Sequence, residues 1–147
     1  MKRLKHITNQ CGAAAVEFAV LLPLLVTLVF GSIEFGLVCY NKQVITNAGR
    51  EGARMAITGG GDVVQTVLDY CNRRAIDPPQ VKHKLIDLTS ADGRYALQAA
   101  DITVTGPDGQ DDFSVTVRYT YNFLFAQLIG IRQTTIASRT VMRNEPN

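Results

Sequence analysis

Tryptophan is absent from this 147-residue chain, histidine occurs twice and cysteine three times. So few and so scattered a set of ligands argues against a metal centre, and three cysteines cannot frame a disulfide scaffold. An excess of one charge is missing too. Fifteen Lys and Arg face thirteen Asp and Glu, leaving a net of +2, too balanced for a dedicated nucleic-acid binder. The basic residues also lack the aromatic interleaving of single-strand readers. Charged residues make up 19% and hydrophobic residues 46%, which excludes a disordered, collagen-like or charge-rich coiled-coil chain. The length leaves room for one domain, or for a membrane anchor plus a small domain.

The residues are unevenly spread. Lys2, Arg3 and Lys5 crowd the start and no acid precedes Glu17. Residues 18–33 carry no charge, but at 1.5 Å per residue they span about 24 Å, short of the roughly 30 Å hydrocarbon core. Extending upstream to residue 13 gives about 31 Å and brings in Glu17. Extending downstream to Tyr40 brings in Glu34 instead. Either way one carboxylate stands near lipid, where an ionisable group is costly and reads as functional. The basic cluster keeps the N-terminus cytoplasmic and the remainder outside, a single-pass arrangement in the cytoplasmic membrane. The chain divides accordingly into a basic leader (1–12), a membrane helix (13–40) and an extracytoplasmic domain (41–147) that includes the helix continuation. The rival is a secretory signal peptide cut after Val29-Phe30-Gly31, although the run is long for one and helix follows without turn residues.

The front of the run, Gly12-Ala13-Ala14-Ala15-Val16-Glu17-Phe18, resembles the class III cleavage site of prepilins. That resemblance implies a cut between Gly12 and Ala13 by prepilin peptidase, with Glu17 fifth in the mature chain. A plainer reading makes Gly12 a helix breaker and Glu17 an acid favoured by the helix dipole. Cleavage would remove three basic side chains and create an ammonium at Ala13. A carboxylate at Glu17 in lipid needs a cation, and that amine, in its own chain or in a neighbour, is the one at hand. Such a pair sets register between stacked helices more than it adds stability. Glu17, Phe18 and the helix-bending Pro23 are the candidate inter-subunit contact.

Beyond the span, Val44, Ile45, Ala48, Gly52, Met55 and Ala56 recur at helical spacing, so the helix continues with one apolar stripe. Arg50, Glu51 and Arg54 read as its solvated flank. Gly49 and Gly52 permit close approach of a packed neighbour, and Gly59-Gly60-Gly61 ends the helix without the Lys-Ser/Thr of a phosphate loop. The order now runs from the leader and Gly-x4-Glu-Phe through Pro23 and Glu34-Phe35-Gly36 to Ala48-Gly49-Arg50-Glu51-Gly52-Ala53-Arg54. It resembles the TadE-like family, pseudopilin components of tight-adherence (Tad, type IVc or Flp) pilus systems, most specifically over residues 12–57. The resemblance implies an accessory protein for assembly of an adhesive pilus, with other pilins or pseudopilins and the pilus assembly machinery as partners. The alternative is a membrane-tethered or Sec-secreted interaction domain that never enters a filament.

Asp62 can cap a second helix reaching about Arg74, stopped by Asp77-Pro78-Pro79. Strands are expected at 81–88, 101–105, 113–123 and, with weaker alternation, 134–142, with turns at Ser90-Ala91-Asp92-Gly93 and Gly106-Pro107-Asp108-Gly109. In the clearest, Phe113, Val115, Val117, Tyr119, Tyr121 and Phe123 alternate with polar residues and read as core rather than as a stacking platform. The fold expected is α+β and pilin-like: a long N-terminal transmembrane and amphipathic helix packed on a small antiparallel sheet. Leu124, Phe125, Leu128 and Ile129 form an apolar cluster that either packs beneath that sheet, the placement expected, or sits at a subunit or membrane contact. Loss of the leader takes Cys11 away, and Cys39 and Cys71 lie too far apart along an antiparallel helix pair to bridge. His83, between two lysines, has no orienting group to make a Cys/His nucleophile with Cys71, so neither catalysis nor a cofactor or metal is expected.

Overall fold

The computed structural model describes residues 10–59, 61–72, 85–90, 97–106 and 112–143. A single helix, α1, runs from Gln10 to Thr58 with Pro23 inside it. It is long and apolar enough to cross a membrane, and no residue of its most apolar stretch is buried. It ends where the sequence offers glycine: Gly59 adopts a φ of 61°, the left-handed cap that a side chain resists. Helix α2, Val63–Asn72, follows. The Asp62 carboxylate accepts from the Val64 and Gln65 amides at 2.9 and 3.1 Å, an N-cap of the expected kind.

Strands β1 (Ile102–Thr105), β2 (Asp112–Asn122) and β3 (Gln133–Arg143) form an antiparallel sheet in the order β1-β2-β3. The β2–β3 pairing is complete from Asp112↔Arg143 to Asn122↔Gln133. The architecture is the expected α+β plan, with the second half of α1 as the lid of the sheet. Val44, Ile45 and Ala48 of α1 are buried with Val67 and Cys71 of α2 and with Val115, Val117, Tyr119 and Tyr121 of β2. The Tyr and Val row is therefore core. The inward row of β3 explains its weak alternation. Thr134, Ser138 and Thr140 share it with Ile136 and Met142, and Ser138 meets the Thr46 hydroxyl of α1 at 3.0 Å.

The strand expected at 81–88 is not one where it is described. Ile86 makes a lone bridge, and Leu88 and Thr89 form a turn. Two side chains take the place of a ladder. Asn41 pairs with the Ile86 backbone, and Asp87 accepts from the Thr89 amide and hydroxyl at 2.9 and 2.6 Å, curling the chain. Residues 1–9 of the leader, His83, the Asp77-Pro78-Pro79 stop and most of the two expected strand turns lie outside the described residues. So does the stretch 73–74 that would complete the second helix.

Close approach is built on two glycines. A Cβ on Gly52 would stand 2.6 Å from Val67 Cγ2, and one on Gly49 would stand 3.1 Å from the Thr140 hydroxyl. Gly52→Ala gains about 1 kcal/mol of helix propensity but must push the stiff Val67 side chain away, at a cost of about 2–3 kcal/mol. A net loss of about 1–2 kcal/mol in urea unfolding in detergent is expected for Gly52→Ala, with Gly49→Ala close to neutral.

Cys39 is exposed and Cys71 buried, and both are free thiols. Burial pushes the Cys71 thiol from 9.0 up to about 12. The folded chain thus holds this proton more tightly than the unfolded chain. Its contribution to stability is full below about pH 9 and is lost as pH rises towards 12. At pH 8, alkylation of Cys71 should run about a hundredfold or more slower in the native chain than in guanidinium, measured by mass spectrometry.

Candidate functional site

The bare half of α1 carries the residues singled out at the front of the chain. Gly12, Ala13, Glu17 and Phe18 are all helical and exposed. Gly12 does not break the helix, which begins upstream at Gln10. Among the described residues no group pairs with the Glu17 carboxylate. Pro23 is accommodated without loss of helix, and the carbonyl of Pro23 accepts from the Thr27 hydroxyl at 2.8 Å. Ser32 likewise donates to Leu28 at 2.8 Å. Such back-bonding hides hydroxyls that would otherwise face an apolar medium unpaired.

Glu34 has the opposite fate. It is 2% exposed, and its carboxylate turns onto the connection between β2 and β3. One oxygen accepts from the Leu124 and Phe125 amides, the latter at 2.9 Å, and the other accepts from Ala126 N at 3.0 Å. These are the donors at the start of the 3-10 turn Ala126–Ile129, which has no side-chain cap of its own. A carboxylate is acceptor-only and can fill all three, so one side chain of the helix fixes the loop's height along it. Of the two acids competing for the lipid boundary, the domain claims Glu34 and leaves Glu17 free.

Residue 41 lies two helical turns on, on the same buried face. Asn41 is fully buried, donates to the Ile86 carbonyl at 2.8 Å and accepts from the Ile86 amide at 2.9 Å. The Tyr119 hydroxyl adds a bond to the same carbonyl at 3.1 Å. Asn72, at the end of α2, clasps Leu97 in the same two-way fashion, at 2.7 and 2.8 Å. Sequence reasoning passed over both asparagines. The available signal was the spacing of Glu34, Asn41 and Ala48, seven residues apart and so on one helix face.

The Tyr121 hydroxyl is buried with no hydrogen-bond partner among the described residues. Burial, and then the nearby Glu34 and Asp87 carboxyls, push it up to about 12. Arg54 and Glu51 pair at 2.6 Å on the surface of α1, and this hydrogen bond holds the Glu51 carboxyl below its usual range. They form a solvated flank.

The apolar cluster of the last connection is a correction. Only Phe125 is packed, its ring stacked on Phe30 of α1 with centroids 3.9 Å apart. Leu124, Leu128 and Ile129 are exposed, because the loop projects beyond the end of the sheet instead of folding under it. Between loop and helix lies an apolar cavity of about 90 Å³, lined by Val26, Phe30, Gly31, Glu34, Phe125 and Leu128 among others.

The chain thus joins a largely uncovered apolar half-helix to a half packed on a small antiparallel sheet, an α+β architecture. Residues 12–54 match the family model described as TadE-like protein, so α1 carries a TadE-like segment, the mark of a structural or accessory pilus-related family. No curated protein and no solved structure matches the chain.

Glu34→Ala should cost about 3 kcal/mol, since three backbone donors lose their acceptor. Glu34→Gln keeps one acceptor oxygen and should lose less. Hydrogen exchange at the amides of 124–126, read beside the unfolding midpoint, checks both. Unchanged exchange there in Glu34→Ala would show that the carboxylate does not hold the loop.

Proposed function

We propose that the protein is a pseudopilin-like accessory subunit for assembly of a Tad-type adhesive pilus. The observation that carries this reading is the TadE-like match over residues 12–54, falling on a helix whose apolar first half is left unburied by its own chain. On this reading residues 13–40 form the membrane helix, bare as far as Leu25, flanked by the β2–β3 connection from Val26 and bearing the domain from Glu34. The N-terminus is cytoplasmic, the domain lies outside the cytoplasmic membrane, and prepilin peptidase cuts between Gly12 and Ala13. The new amine at Ala13 and the Glu17 carboxylate then pair between adjacent subunits, with Phe18 and Pro23 beside the contact. Such a pair, desolvated in lipid, rewards only the register in which both charges are met. Other pilins or pseudopilins and the assembly machinery are the partners.

N-terminal sequencing of the membrane-bound mature protein tests the processing step. Ala13 as first residue is expected. Ser32, or an intact Met1, would instead identify a secreted or tethered domain outside any filament. Glu17→Ala should leave cleavage largely intact and abolish most surface pili counted by electron microscopy. Wild-type piliation in that variant would remove Glu17 from assembly.

A further inference from the structure

We infer that the β2–β3 connection is a second membrane contact, a foot that seats Leu124, Leu128, Ile129 and Ile131 among the acyl chains of the leaflet on the domain's side. The inference rests on the reading of α1 as a membrane helix but concerns a different part of the chain. Its first support is where the loop sits. The Glu34 carboxylate pins the amides of 124–126, Phe125 stacks on Phe30 one turn back, and the cavity lining reaches Val26, two turns back. The loop therefore hangs alongside about 12 Å of the helix, on the bare side of Glu34.

Continuity of medium is the second support. Val26, Val29 and Ile33 of α1 are exposed at that height, and so are the loop's apolar side chains, with Leu128 at 87% and Ile129 at 67%. Any medium that covers the first three must cover the loop beside them. An aqueous Leu128 next to a lipid-covered Val26 would need the bilayer to end between neighbours in contact with one cavity. Composition agrees. No charged residue occurs from Phe123 to Ile131, and Arg132 follows at once, where a guanidinium can reach the phosphate layer. Outside α1, the exposed large hydrophobic residues concentrate in this loop, with Leu88, Val104 and Val141 the others among the described residues. A patch of this kind on a domain whose other exposed apolar residues stand singly marks a contact surface.

The backbone of the loop fits the same medium. The Phe123 amide donates to the Arg132 carbonyl at 2.9 Å, the Ile131 amide to Ala126 at 3.0 Å and the Gly130 amide to Gln127 at 3.0 Å. The Gln127 side chain donates to the Phe123 carbonyl. With Glu34 filling three further donors, the polar groups at the foot are largely spent internally, as a lipid-facing segment requires. A foot at this height would hold the domain at one tilt to the membrane, which a single helix does not do.

The chain's lack of tryptophan supplies the test. Leu128→Trp, Leu24→Trp and Val141→Trp are each introduced singly into the full chain and reconstituted into phosphatidylcholine vesicles carrying bromines at shallow or deep acyl positions. Leu128→Trp should emit to the blue of Val141→Trp and lose most of its emission to shallow bromines. Leu24→Trp should be quenched best by deep ones. Quenching at 24 without quenching at 128 overturns the foot and leaves the membrane helix standing, whereas no quenching at either position removes the helix reading as well. A blue-shifted Leu128→Trp that bromines do not touch, and that shifts back on dilution of protein in lipid, would overturn the lipid contact in favour of a second copy.

Discussion

The carboxylate of Glu34, buried at the point where the helix passes from bare to packed, accepts from three backbone amides of the β2–β3 connection. Its position decides the relation between the two halves of the molecule. Upstream, α1 has no intrachain partner until the loop comes down beside Val26 to Glu34. Downstream, the same helix buries Asn41, Val44, Ile45 and Ala48 against the sheet and α2. One acid fixes where the domain begins along the rod, because a buried carboxylate has to bring its donors with it.

The same logic recurs at smaller scale. Asn41 and Asn72 each present an amide that imitates a strand partner, one to Ile86 and the other to Leu97. Segments that join no ladder, or lie at the sheet's margin, are thereby tied to helices by two bonds apiece. With three strands among the described residues, ladder bonds are few, and side-chain clamps add to them. Each clamp is specific, since a one-residue slip would leave both members unpaired in a partly buried setting. Further along the same helix, Gly49 and Gly52 lack the side chains that would hold β3 and α2 away. Polar clamps set the register and glycines set the distance.

A division of labour along the rod follows. The packed half is committed to its own chain, with charges paired or solvated and glycines closed over. The free half is uncommitted, and its Glu17 has no cation within the described chain. That asymmetry leaves a domain fixed on its helix and a helix surface that its own chain does not bury. The family match spans the junction, from residue 12 through Glu34 to residue 54. The shared segment thus includes both the free surface and the clasp that limits it.

The long helix, its glycine stop, the Asp62 cap and the buried face of β2 were legible in the sequence, because each depends on local periodicity or on a neighbour a few residues away. The bounds of β2 and β3 differ from expectation by only one residue at each end for the same reason. The turn at 87–89 and the roles of Glu34, Asn41 and Asn72 were not legible, since a polar side chain in an apolar stripe does not name the backbone it will meet 25 to 92 positions away. The cluster at 124–129 went astray similarly. Its apolar residues said that water would be avoided, but whether core or another medium would cover them depended on how far the loop reaches past the sheet. Sequence alone determined which residues shun water and which local shapes they take. Tertiary structure alone decided which donors and acceptors meet, because those pairings are set by where distant segments come to rest.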